Sequence, residues 1–137
     1  MFESGNSTAV TERFTSDCIR TIAPASFMRQ LGLPGDYKQD SFEFEQAMTY
    51  QLPALDAVST TLRDFVIDAP NHKGSMHISH ELKVKGQDET FIVENMSIMY
   101  FTEDGAKVCK ILMFTDPLET LRYQTANAKV LKTLTST

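Results

Sequence analysis

No cluster of lysines and arginines occurs in the chain, and its absence removes a class of partners. Neutralising nucleic-acid phosphates takes several basic groups on one face, whereas the 13 Lys and Arg are dispersed among 18 Asp and Glu for a formal charge of −5. No nucleic-acid partner is expected. Long apolar runs are also missing: nothing approaches the roughly 18 consecutive apolar residues that a membrane span requires. The opening Met-Phe-Glu-Ser-Gly-Asn has no basic stretch leading into an apolar core. The expectation is a cytoplasmic protein with no membrane partner. Cysteine is scarce as well. Cys18 and Cys109 form neither a disulfide framework nor a metal-ligand spacing, and both lie in apolar, strand-like settings, which favours buried free thiols over a bridge. No repeat, low-complexity segment or break in composition divides the 137 residues. They read as one domain, long enough to bury roughly two thirds of its unfolded surface.

What is present centres on residues 90–117, which read as a long β-hairpin. Residues 91–101 are rich in β-branched and aromatic side chains, Thr102-Glu-Asp-Gly105 supplies the turn, and 106–115 is strand-like again up to the terminator Asp116-Pro117. Both strands are apolar on both faces, as expected where helices cover one side of a sheet and a second subunit or a ligand cavity the other. The polar exceptions, Glu94, Asn95, Ser97, Lys110 and Asp116, therefore carry the most information.

Upstream, residues 1–7 read as disordered and 8–14 as at most a brief helix. Residues 18–22 read as a strand with Cys18, Arg20 and Ile22 on one face, which sets a guanidinium among apolar neighbours. Residues 30–37, with two glycines and a proline, form a loop. Asp40 and Glu43 have capping-box spacing. From there Phe44, Ala47, Met48, Gln51, Leu55, Val58 and Leu62 recur at helical spacing, which predicts a long helix bent at Pro53. Residues 62–69 read as a strand, 70–74 as a turn and 75–85 as an alternating strand. Met76, Ile78, Leu82 and Val84 lie on its apolar face with His80 among them, and His77 lies on the polar one. After Pro117 a short amphipathic helix covers 118–124, and 126–137 is expected to fray.

This order predicts an α+β fold in which a strongly bent antiparallel sheet wraps on a long kinked helix and leaves an internal pocket. Four stretches carry a family resemblance: Asp17-Cys-Ile-Arg-Thr-Ile-Ala-Pro-Ala-Ser-Phe27, Ser75-Met-His-Ile78, the Glu94 strand ending in Tyr100-Phe-Thr-Glu-Asp-Gly105, and Phe114-Thr-Asp116. Together, over residues 14–116, the chain resembles the SnoaL-like branch of the NTF2-like superfamily. More narrowly it resembles the small fungal isomerases and cyclases of polyketide, meroterpenoid and alkaloid biosynthesis. The resemblance implies an NTF2-like (cystatin-like) cone and a cofactor-free cavity enzyme that rearranges a hydrophobic small molecule. It also implies a homodimer through the outer face of the sheet. The pocket would be lined by Arg20, by Phe44 and Met48 on the helix, by Phe91, Asn95 and Ser97 on the long strand, and by Met113. Three departures stand out. Phe91 and Asn95 occupy places where relatives often carry tyrosines, Met113 stands where they carry an acid-base glutamate, and the helix pair that usually walls one side of the cone is shortened.

Each candidate keeps a plain alternative. Arg20 either pairs with an acid at the sheet edge or faces the cavity, where its planar fork of donors suits an enolate or carbonyl oxygen. His77 is an exposed histidine or a proton shuttle, and His80 a satisfied core or interface histidine. Glu94 and Asn95 point to opposite faces, and the resemblance favours Asn95 for the pocket. Asp116 caps the next segment or joins the chemistry. His77 and His80 face opposite ways on a strand, so they signal no metal site. Two functions follow. One is an isomerase or cyclase in which Arg20 polarises an oxygen, Asn95 donates to it, and His77 or Asp116 moves a proton. The other is a non-catalytic module that binds an apolar ligand or dimerises.

Overall fold

The 90–117 hairpin forms the centre of a six-stranded sheet in the computed structural model, which describes residues 13–135. The segments expected to be disordered (1–7) and briefly helical (8–14) lie outside the described residues, apart from Arg13 and Phe14. The strands are β1 Phe14–Ala23, β2 Lys38–Asp40, β3 Leu55–Asp68, β4 Lys73–Val84, β5 Thr90–Phe101 and β6 Val108–Thr115, in the spatial order β2-β1-β6-β5-β4-β3. Helices α1 Ala25–Gln30, α2 Ser41–Gln51 and α3 Pro117–Thr135 complete the α+β architecture. Register breaks at residues 14–19, 55–57, 62–64 and 100–101 mark irregular pairing. Such bulges bend a strand and deepen its twist, and the sheet is curved.

Four expectations are corrected. The helix does not continue through Pro53: α2 ends at Gln51, a 3₁₀ turn covers Leu52–Ala54, and Leu55 opens the fourteen-residue strand β3. Val58 and Leu62 misled because a spacing of four fits both one helical turn and two strand repeats. Pro53 and the β-branched residues that follow it decide for the strand, which gains a full ladder with β4. Next, the sheet is mixed rather than antiparallel throughout, since β1 runs parallel to β6. Two short elements, α1 and β2, had no signal strong enough to announce them. Finally, α3 does not fray after Gln124. Tyr123, Asn127 and Leu131, spaced by four, are buried, and Ala126 and Val130 pack against the same core.

The capping box holds as expected: Asp40 Oδ1 accepts from the Glu43 amide at 2.8 Å, and Glu43 Oε1 accepts from the Asp40 amide at 3.1 Å. At its other end α2 leaves unpaired carbonyls, as every helix does, and α3 meets them. The Asn127 side-chain amide donates to the Gln51 carbonyl at 3.2 Å and to Tyr123 Oη at 3.2 Å, while Tyr123 Oη donates to Gln51 Oε1 at 2.7 Å. This buried network ties both helices over one end of the sheet. Burial pushes the Tyr123 hydroxyl well above its ordinary pKa.

Truncating that network tests it. Asn127→Leu removes a buried donor from two acceptors and should lower stability by about 1–3 kcal/mol, read as a fall in the urea midpoint. An unchanged midpoint would mean that α3 is held by its apolar stripe alone.

Candidate functional site

Residues paired across a sheet share a face, so the register defines the concave side row by row. One row runs Arg20–Ile111–Met99–Gly74, the next Ile22–Met113–Ser97–Met76, then Thr115–Asn95–Ile78–Leu62, then Val93–His80–Thr60 and Phe91–Leu82–Val58. Two apolar clusters occupy the ends of this face. Leu82, Val84, Phe91, Val93 and Tyr123 form one, and Cys18, Met99, Val108 and Ile111 the other. Between them lie the polar residues Ser97, Asn95 and His80, and Arg20 reaches in from one side.

The Arg20 guanidinium stacks on Phe44 of α2, 3.8 Å above the ring centroid, with the Phe14 centroid at 5.9 Å. Its Nη1 donates to Met113 Sδ at 3.4 Å, while Nε is sealed from solvent and has no partner. Among the described residues the ion pairs are His77 with Glu94 and Arg122 with Glu89 and Glu119, and none involves Arg20. Burial lowers its pKa to about 10, which leaves it charged at neutral pH. The second orphan on this face is Asn95 Oδ1, also buried and unpartnered. Ser97 lies buried between Asn95 and Met99 on the same strand face. His80 Nδ1 and Thr60 Oγ1 are 3.0 Å apart. Burial first, and the Arg20 charge second, depress the His80 pKa, so the imidazole is neutral at pH 7.

No family model matches the chain, and no curated protein matches it. Solved structures do. The BvnE pinacolase of Penicillium brevicompactum superposes with a TM-score of 0.76 at 15% identity, over 93% of this chain and 86% of that one. PrhC of Penicillium brasilianum NBRC 6234 gives 0.76 at 19% identity, over 96% and 86%. A SnoaL-like protein of Shewanella denitrificans OS-217 gives 0.60 at 10% identity, over 96% and 89%. The chain has the NTF2-like (cystatin-like) fold.

Within this NTF2-like cone the expected site residues separate into two groups. Arg20, Phe44, Asn95, Ser97 and Met113 converge on the concave face, with Met48 half-buried one turn after Phe44. Phe91 lies on the same face, within the apolar cluster at its end, and His77 and Asp116 do not join them. His77 points to the outer face, where its Nε2 lies 2.9 Å from Glu94 Oε1. With Asn95, Met96, Phe114, Thr115 and Asp116 these residues line a hollow of about 240 Å³. Asp116 is a helix cap, its Oδ1 accepting from the Leu118 and Glu119 amides at 3.0 and 3.4 Å. Phe91 belongs to the apolar cluster, edge-on to Tyr123. Both cysteines are free, Cys18 buried and Cys109 half-buried. The residue that sequence reasoning left in the core is His80. Its signal was present, a histidine on the apolar face of an alternating strand.

The depressed His80 pKa has a consequence for stability. The unfolded chain takes up this proton near 6.5 and the folded chain only at lower pH, so stability is greatest above 6.5 and falls as pH drops into the window between the two values. His80→Gln should flatten that part of the profile, measured as the urea midpoint between pH 7 and pH 5. Parallel profiles for the two proteins would show that His80 protonates freely in the fold.

Proposed function

We propose that the chain is a cofactor-independent isomerase or cyclase that acts in the cytoplasm, as a single domain, on a hydrophobic polyketide- or terpenoid-derived intermediate of secondary metabolism. The observation that carries this reading is the half-buried Arg20 charge, its Nε sealed from solvent, with no carboxylate partner among the described residues. Desolvating a guanidinium costs several kcal/mol, whereas stacking on an aromatic ring returns about 0.5–2 kcal/mol and a thioether sulfur is a weak acceptor. Phe44 and Met113 therefore do not offset the cost, and an oxygen of a ligand would.

In this reading Arg20 stabilises negative charge developing on a substrate oxygen. Neutral His80 is the group poised to move a proton, because His77 is engaged with Glu94 and Asp116 caps α3. The apolar face around them excludes water and holds one conformer for ring closure or migration. The fold likeness to a pinacolase supports a rearrangement of this type. One observation favours a non-catalytic ligand-binding or dimerisation module instead: Met113 supplies packing and a weak acceptor where a carboxylate would supply proton transfer.

The outer face supports a homodimer. Ile92, Met96, Ile98 and Phe114 are 48, 50, 39 and 50% exposed on adjacent strands of the hairpin, around the Glu94–His77 pair, and exposed apolar side chains grouped on one face are of the kind that marks an interface.

Two measurements test these proposals. Deleting the gene in its producing host should cause an intermediate to accumulate that the purified protein converts into a compound of the same mass, or differing by water. Complementation with Arg20→Ala should then show turnover reduced about a hundredfold, and Arg20→Lys should restore only part of it. Full activity of Arg20→Ala would leave the binding module as the better reading. For assembly, sedimentation should give a dimer at micromolar concentration that Met96→Glu with Phe114→Glu dissociates; a monomeric parent protein would refute the interface.

A further inference from the structure

The register of the central strands sorts the outer face into rows that differ in charge. In the first row Lys110 and Lys73 flank Tyr100, and Lys110 Nζ lies 5.0 Å from the Tyr100 ring centroid. Leu112 and Ile98 make the second row, and Phe114 and Met96, with His77, the third. The fourth holds two acids, Asp116 and Glu94, side by side, the Asp116 amide donating to the Glu94 carbonyl at 3.1 Å. One end of the face is thus basic, its middle apolar and its other end acidic. The β3 edge carries the reverse signs: Asp68 is opposite Lys73 in the first row, and Arg63 Nη2 reaches Ser79 Oγ, beside Glu94, at 3.3 Å. Rows lie two residues apart along each strand, so Lys110 stands roughly 20 Å from the acids of its own chain. Both Lys110 and Glu94 are exposed.

A two-fold axis can stack two such faces in two ways. With the axis along the strands every row meets itself, and the acids of the fourth row oppose the same acids of the partner. With the axis across the strands, between the second and third rows, the first row meets the fourth and the two apolar rows meet each other. Opposed like charges penalise an interface and opposed unlike charges favour it. Charge therefore selects the second arrangement, and the reversed signs at the β3 edge match in it as well.

We infer that the outer face binds a second copy of the chain with its strands antiparallel, each subunit's Lys110 entering the partner's hollow at Glu94 and Asp116. The inference rests on the proposed homodimer and adds to it the orientation and the residue that completes the hollow.

Sedimentation of charge variants, each checked for folding by circular dichroism, tests the orientation. Lys110→Glu and Glu94→Lys should each weaken the dimer at least tenfold, because either change opposes like charges at two symmetric places. An equimolar mixture of the two variants should associate about tenfold more tightly than either alone, since positions 110 and 94 again carry opposite signs across the mixed dimer. On the parent protein, carbodiimide coupling of amines to carboxylates should join Lys110 to Glu94 or Asp116 between subunits, seen by mass spectrometry of the cross-linked dimer. A dimer that Lys110→Glu leaves unchanged or tightens, a mixture no tighter than its components, or a cross-linked dimer without that peptide would overturn the orientation and leave the homodimer standing. A monomeric parent protein would overturn both.

Discussion

A charge held on an apolar face sets the terms for everything around it. Arg20 sits on β1, and β1 is placed beside β6 by parallel pairing, which lines up Arg20 with Ile111 and brings its head to Met113. Phe44 covers the guanidinium from above, and Phe44 is where it is because the Asp40–Glu43 capping box fixes the start of α2 and thereby the rotation of its first turn. The other end of α2 is fixed by Asn127 and Tyr123 of α3. The position of one guanidinium thus depends on elements drawn from the whole length of the described chain.

The hairpin, the alternation of β4 and the capping box were legible in the sequence because each is local: strand period, turn residues and cap spacing all lie within a few positions of one another. The parity of adjacent residues was legible too: it set Glu94 and Asn95 on opposite faces, while the choice of Asn95 for the inner one came from the family resemblance. What could not be read was set by contacts distant in sequence. Residues 55–62 fit helix and strand periods equally well until β4 supplied a partner, and the parallel neighbour of β1 lies some ninety positions downstream of it. The later part of α3 looked weak because its stripe includes Asn127, a polar residue that belongs in the core only because Gln51 and Tyr123 are there to receive it.

The site was half legible for a related reason. Sequence reasoning looked for catalytic histidines on the polar face of β4 and so chose His77, yet in the proposed reading the ligand lies against the apolar face, where His80 is. His80 was dismissed by the same rule that places it correctly. A histidine on an apolar face has its charged form disfavoured by desolvation, which is the condition for a neutral proton acceptor rather than evidence against a role.

The departure at Met113 is best understood together with His80. By the resemblance, relatives carry an acid-base glutamate at this place, and a carboxylate in contact with Arg20 would cancel most of its charge. With methionine there, the guanidinium keeps its full charge. Its field adds to the burial that depresses the His80 pKa, so under the proposed function charge stabilisation and proton acceptance would fall to two different side chains instead of one ion pair. Such a face is matched to a substrate that brings its own negative or polarised oxygen, and it is poorly suited to one that must be protonated by the protein at the same point.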